Sequence, residues 1–442
     1  MTGASGLDRA DILDLLGSLV EKSLVTFENG RYGMLQTVRQ YGRERLREDP
    51  LSAELSLRHA TFLRDVLEGA DEGLSGPDQA AWMGLVDREL DNLRAALDAM
   101  LDPSSPSPES LATARELAVS TWKYWSRRGL GGEGLSYLRR CAEGDDGDPR
   151  LLAAVSSAAG VLATYRGDNA DAATFLERAL DLRRGLGDPD PVARTLNNMG
   201  MLATNVGEFD KARGHYAEAI ELIRANGPSY AYATMLLNLG NLERYTGNDD
   251  AARSAYEECR SVFHRVEDYE GEALTLYNLG LLHADHGDQP TAIEFFEEAL
   301  RGFEDVGNER MAAWTLAAIG SAWLSTGDRG RALEPLKRST RMRLEMAERL
   351  SVALALQAWA DLMAFDGRYR EVALLLGGFD ALREDLDMSL TPAQITDYEK
   401  MTAKAVASLG EVEFRDLHAR GAGFSPAELL AACPAGAHRR DD

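Results

Sequence analysis

The sequence predicts an all-α chain: a superhelical solenoid of helix pairs on a 40-residue period, preceded by a small segment holding one β-hairpin. Three observations carry this. Gly160, Gly200, Gly240, Gly280 and Gly320 fall at a constant spacing of 40, ending the phrases SSAAG, LNNMG, LLNLG, LYNLG and LAAIG; Ala360 takes the same place in LQAWA. Seven residues later a second glycine recurs, at Gly167, Gly207, Gly247, Gly287, Gly327 and Gly367, where positive φ can end one helix and turn the chain. Five residues further begins a small-x3-large-x2-small phrase, as in Ala212, Tyr216 and Ala219 or Ala292, Phe296 and Ala299. Small residues let two helices approach and the large one fills the gap. Such a fixed period is the signature of a repeat architecture.

Along the chain, residues 1–50 open with DILDLLGSLVEKSLV, an amphipathic helix running into an extended segment. SLVTFENGRYGMLQ places Asn29-Gly30 between alternating apolar runs, a hairpin signal. Thr37 and Gln40 have the spacing of a capping box for TVRQYGRERL. Helix, hairpin and helix together make a winged-helix-like remnant. Residues 51–107 are a helical connector, with helical stretches at 52–70 and 78–100 and the proline- and serine-rich break LDPSSPSP near its end. Residues 108–149 are a degenerate capping helix pair, slightly off the register of the rest. Six repeats follow over 150–388. Residues 389–442 hold C-terminal capping helices and a tail, with helix starts at Thr391-Pro392-Ala393-Gln394 and Ser425-Pro426-Ala427-Glu428 and a stop before Gly410.

Composition narrows the function. Hydrophobic residues are 45% of 442, enough for a sizeable core. No run of about 18 apolar residues exists, so no membrane span is expected. The N-terminus has no basic region of the secretory type. Cys141, Cys259 and Cys433 are few, odd in number and far apart, which suits a reducing cytoplasm. With 48 basic and 72 acidic residues the net charge is −24, so a duplex phosphate backbone is repelled and no direct nucleic-acid contact is expected. Arg31, Arg39, Arg43, Arg45 and Arg47 can touch phosphates, but the acidic groups of the first 50 residues cancel their field.

Catalytic and metal motifs do not emerge. The string nearest a phosphate loop runs from Gly17 to Ser23, with Glu21 where a second glycine must sit. His283, Asp285, His286 and Asp288 cluster, but they straddle the end of a helix and His283 takes a packing position. No nucleophile-elbow, zinc-protease or Cys–His pattern appears. Neither an enzyme nor a cofactor is expected.

The glycine turns and the Ala-x3-aromatic phrase resemble tetratricopeptide repeats, whose usual period is about 34 residues. The extra residues are expected after the second helix, as in LRRGLGDPDPV and FEDVGNERM. The order of parts is more specific. LLGSLVEKSLV and RYGMLQTVRQYGRERL, then DRELDNLRAAL, then repeats, then LLLGGFDALRE and two capped helices resemble the C-terminal half of bacterial STAND-class signal-transduction ATPases. MalT-like and antibiotic-regulatory-type transcriptional regulators are in that group. The resemblance implies a sensor or partner-binding arm. This sequence lacks the nucleotide-binding domain, so the ATPase role does not carry over; a fragment, a shortened product and a stand-alone descendant are all open.

Helical arithmetic locates a binding face. Successive residues step about 100° around the axis. In one first helix Leu196, Met199, Gly200 and Ala203 form the buried arc, and Arg194, Asn198, Met201 and Asn205 the opposite one. The next repeats put Thr234, Asn238, Asn241 and Tyr245 there, then Leu274, Asn278, Leu281 and Asp285, then Trp314, Ala318, Ser321 and Ser325. First helices line the groove of such solenoids. The candidate ligand-groove residues are therefore Arg194, Asn198, Asn205, Asn238, Asn241, Tyr245, Asn278 and Trp314. Asparagine is a mediocre helix former, and its amide suits a peptide backbone. A ladder of asparagines bonding neighbouring repeats uses the same amides, and the sequence leaves both open. The expected function is a cytoplasmic regulatory sensor or interaction module binding a protein or peptide segment, with a regulatory partner or a second copy possible. The rivals are a detached arm of a STAND NTPase switch and an enzyme with a carboxylate pair in the groove.

Overall fold

The computed structural model describes residues 9–28, 30–75, 78–103, 107–144, 147–346, 349–385 and 392–431. Among them are 22 α-helices and one two-stranded antiparallel hairpin. The chain divides into two compact units, Met1–Leu222 and Ile223–Asp442.

The first unit opens with α1 (Arg9–Glu21), the strands β1 (Thr26–Glu28) and β2 (Arg31–Gly33), and α2 (Gln36–Arg47). The strands pair Thr26 with Gly33, Phe27 with Tyr32 and Glu28 with Arg31. Of the turn dipeptide, Gly30 takes φ 76°, and Asn29 lies outside the described residues. The expected capping box does not form. Helix α2 starts at Gln36, before Thr37, behind an extended Leu35 that has no side-chain cap, and Gln40 reaches forward to Glu44 (3.3 Å) instead. Val25 is buried here, whereas Leu13, Leu15, Phe27, Leu35 and Tyr41 are exposed.

Next come α3 (Ser52–Val66), α4 (Ala70–Gly73), α5 (Gln79–Met100), α6 (Pro108–Arg127) and α7 (Gly131–Cys141). Arg31 and Arg39 pair with Glu89 (2.7 Å) and Asp91 (3.1 Å) on α5, so these two arginines tie the hairpin region to the connector. The side chains of Arg43 and Arg47 lie outside the described residues. Leu63, Leu93, Leu97, Leu117, Trp125 and Leu138 share one core cluster that runs on into the first repeat. That repeat is α8 (Pro149–Arg166) and α9 (Asn169–Leu186), followed by α10 (Pro189–Asn205) and α11 (Phe209–Arg224), which crosses the boundary between the units.

The second unit continues with α12 (Tyr230–Tyr245), α13 (Asp249–Arg265), α14 (Tyr269–Asp285), α15 (Gln289–Asp305), α16 (Glu309–Ser325), α17 (Arg329–Glu345), α18 (Arg349–Phe365) and α19 (Tyr369–Asp385). Acids and amides after the turns do the capping: Asp268, Asp288, Asn308 and Asp328 each accept a backbone N–H of their own helix. The surplus over a shorter repeat does not form loops. LRRGL belongs to α9 and FED to α15, so the extra residues lengthen the helices, and the turns stay short.

Three helices close this unit: α20 (Pro392–Leu409), α21 (Glu411–Ala422) and α22 (Pro426–Ala431). Thr391 lies outside the described residues. The second expected start is a complete capping box: the Ser425 hydroxyl accepts the Glu428 N–H (3.3 Å), and the Glu428 carboxylate accepts the Ser425 N–H (2.8 Å). Asp380 of α19 receives Nε2 of His418 on α21 (3.0 Å) and the Tyr398 hydroxyl of α20. The described thiols, Cys141 and Cys259, are buried and unpaired; Cys433 lies outside the described residues.

Candidate first-helix binding face

In the first unit, on α10, Arg194 and Asn205 are exposed and Asn198 and Met201 half-buried; of the arc expected to be buried, Leu196, Gly200 and Ala203 are buried and Met199 is only half-buried. Helix α8 adds a residue the sequence reading passed over. Tyr165 is 60% exposed at the repeat position that Asn205 holds one period later.

In the second unit α12, α14, α16 and α18 carry the corresponding arcs. Tyr245 is 52% exposed at the end of α12, and Phe365 is 46% exposed at the same position of α18. The signal for Tyr165 and Phe365 was available: they lie whole periods before and after Tyr245. The asparagines are not equivalent. Oδ1 of Asn241 accepts the Tyr256 hydroxyl of α13 at 2.7 Å, a bond within its own repeat. Asn278 is only 8% exposed, and its Nδ2 donates to the Leu274 carbonyl of its own helix (2.8 Å). Asn238 is half-buried. A tie between neighbouring first helices is ionic: Arg244 of α12 meets Asp285 of α14 at 2.5 Å.

Trp314 of α16 is half-buried, with its indole nitrogen buried and without a hydrogen-bond partner, and the Arg343 guanidinium lies 6.0 Å from its ring. On α18 the arc carries Asp361, beside Asp397 of α20. Burial, then the neighbouring carboxylate, push the Asp361 carboxyl up to about 7. No motif marked Asp361.

The four residues of the His–Asp cluster do not converge on one point, and only His283 and Asp288 face each other. His283 faces Asp288 (3.1 Å), His286 faces Asp249 (2.9 Å), and Asp285 is held by Arg244. Among the described residues, none of the His, Cys, Asp and Glu side chains gather as a metal set.

The tetratricopeptide repeat family pattern matches residues 150–225, 191–263 and 231–305. Residues 150–305 are tetratricopeptide repeats. A search of curated proteins finds no match. Among solved structures, the chain is similar to a Rap protein complexed with competence and sporulation factor, at 12% identity and TM-score 0.48 over 84% of this chain and 99% of that one. It is also similar to a STAND protein with a tetratricopeptide repeat sensor from Pyrococcus horikoshii, at 16% identity and TM-score 0.45 over 94% of this chain and 61% of that one. BtubC from P. vanneervenii has 24% identity and TM-score 0.44 over 50% of this chain and 90% of that one. These likenesses concern the tetratricopeptide fold alone. Among the described residues, no helix is long and apolar enough to cross a membrane.

Proposed function

We propose that the chain is a regulatory interaction module that captures a protein or peptide segment on its first-helix faces. The carrying observation is the exposed aromatic at one repeat position, Tyr245 on α12 and Phe365 on α18, with half-buried Asn238 also on α12 and Trp314 on α16. Amphipathic rings next to amides combine apolar anchoring with backbone hydrogen bonding. The face carries charge of both signs, Arg194 and the Arg244–Asp285 pair among it, whereas the chain as a whole is strongly acidic, so net charge alone does not set recognition here. The sequence resemblance to STAND-class regulators supports the role of a sensor arm, and the reduced, buried thiols suit a cytoplasmic protein.

The test is to isolate a partner by pull-down with the full chain and to measure its affinity for Tyr245→Ala and Phe365→Ala. The reading expects both to weaken binding with the fold intact. Undiminished affinity in both variants rejects it.

A further inference from the structure

Away from the first-helix arcs, α13, α14 and α15 enclose a depression of about 590 Å³. Its lining reverses the character of the chain, which carries a net charge of −24. Helix α13 supplies Arg253, Arg260, His264 and Arg265, and Leu279 of α14 and Phe295 of α15 give an apolar surface between them. Of the two lining acids, Glu257 and Glu272, the second is engaged. Glu272 meets Arg260 (3.4 Å) and His264 Nδ1 (3.1 Å), and Arg260 also takes Glu298 (2.7 Å). His283 is held by Asp288 and stacks on Phe295 with ring centres 5.4 Å apart. Arg253 and Arg265 are exposed, and among the described residues neither enters an ion pair, although Glu257 lies one turn from Arg253.

These two arginines are twelve positions apart on one helix, which is about 18 Å of rise. An extended peptide advances about 3.3 Å per residue, so acids five or six positions apart match the axial rise between the two arginines. Glu257 lies between them and repels a third acid there.

We propose that this depression is a second docking site, for an extended acidic peptide segment with carboxylates at both ends and an apolar side chain between. Arg253 and Arg265 take the carboxylates, and Leu279 with Phe295 takes the apolar side chain. A charge-assisted hydrogen bond is about twice as strong as a neutral one, so the end contacts set the preference. The repulsive field of the rest of the chain is screened over about 8 Å at physiological salt, while direct contacts are not.

The probe is a labelled six-residue peptide with glutamates at both ends and a central leucine, titrated into the full chain by fluorescence anisotropy. Its twin carries glutamines at both ends. The acidic peptide is expected to bind about tenfold tighter than its twin, the ratio that two modest charge-assisted contacts supply. R253Q and R265Q each reduce that ratio, the double variant brings it to unity, and E257Q tightens the acidic peptide. All four variants change exposed side chains and should melt with the parent. Equal affinity of the two peptides, or a preference that survives the double variant, overturns the proposal. So does complete displacement by millimolar inorganic phosphate at constant ionic strength, which reveals an anion subsite without a peptide groove.

Discussion

The ring of Tyr256 fills the space that a side chain on Gly240 needs. A Cβ built on Gly240 lies 2.6 Å from Cε1 and 2.7 Å from Cδ1 of Tyr256. The same approach recurs between Gly200 and Tyr216 and between Gly280 and Phe296, each at 2.6 Å. The first helix is therefore notched wherever this glycine stands, from Gly160 to Gly320, and the second helix sets its large residue in the notch. This is why the two residue types keep a constant separation in the sequence.

Gly240→Ala tests the notch. Helix propensity alone favours alanine by about 1 kcal/mol. Overpacking costs about 1–3 kcal/mol, and the fully buried ring has nowhere to retreat. With the cost at mid-range the expected net loss is about 1 kcal/mol, read as a lower urea midpoint. An unchanged or higher midpoint refutes the packing argument.

Glu267 stands where the chain elsewhere uses glycine. It has φ 58°, while Gly187, Gly227 and Gly307, at the same kind of turn, have φ 75°, 82° and 71°. A left-handed conformation costs an L residue about 1–2 kcal/mol, part of which glycine returns as backbone entropy. Glu267→Gly should therefore raise the melting temperature, and Glu267→Val should lower it. The opposite order in thermal melts contradicts this.

These turns also show what was legible beforehand. The 40-residue register was readable because Gly240 and Tyr256 must stay matched, and so must their counterparts. The half-period turn was readable too, from Gly187, Gly227 and Gly307, but Glu267 interrupts it, and the extra residues expected after the second helix lengthen that helix instead. The α2 start was misplaced because a serine/threonine–glutamine spacing names a capping box without showing which residue begins the helix; Ser425 and Glu428 form the box that Thr37 and Gln40 do not. Asn241 and Tyr256 are bonded across two helices, and the charge of Asp397 on α20 acts on Asp361 of α18. Neither relation follows from periodicity, because each depends on how neighbouring helices pack.

Asp361 predicts a pH dependence of stability. Its carboxyl is raised from an ordinary value of 3.8 to about 7 by burial and by Asp397 of α20. The folded chain thus binds this proton more tightly than the unfolded one, so the fold loses stability as pH rises between these values and bears the full penalty above about 7. Asp361→Asn removes the penalty. Its melting temperature should match the parent near pH 4 and exceed it by a margin that grows to a plateau above pH 7. A constant difference across that range removes Asp361 as the cause.

The asparagines of the first-helix arc separate binding from folding, because the structure gives them different duties. Asn241 holds the hydroxyl of buried Tyr256, so Asn241→Ala strands a donor and should cost about 1–3 kcal/mol of stability, whatever it does to binding. Asn278→Ala removes a bond to its own helix, and any drop in melting temperature comes from the space left by this buried side chain and not from a lost tie between helices. Asn205 is exposed in the first unit, and Tyr245 is exposed in the second. Substituting either should leave stability within about 0.5 kcal/mol of the parent. If these faces hold a partner, Asn198→Ala and Asn238→Ala should each weaken it by about tenfold or less, the equivalent of one hydrogen bond, and Tyr245→Ala should weaken it at least as much. Affinity has to be measured per folded molecule, with melts of each variant alongside, because Asn241→Ala loses apparent affinity through unfolding alone. Lower melting temperatures with intact affinity in Asn198→Ala, Asn238→Ala and Asn241→Ala together would assign the amides to internal bonding and leave the exposed aromatics as the only candidates for contact.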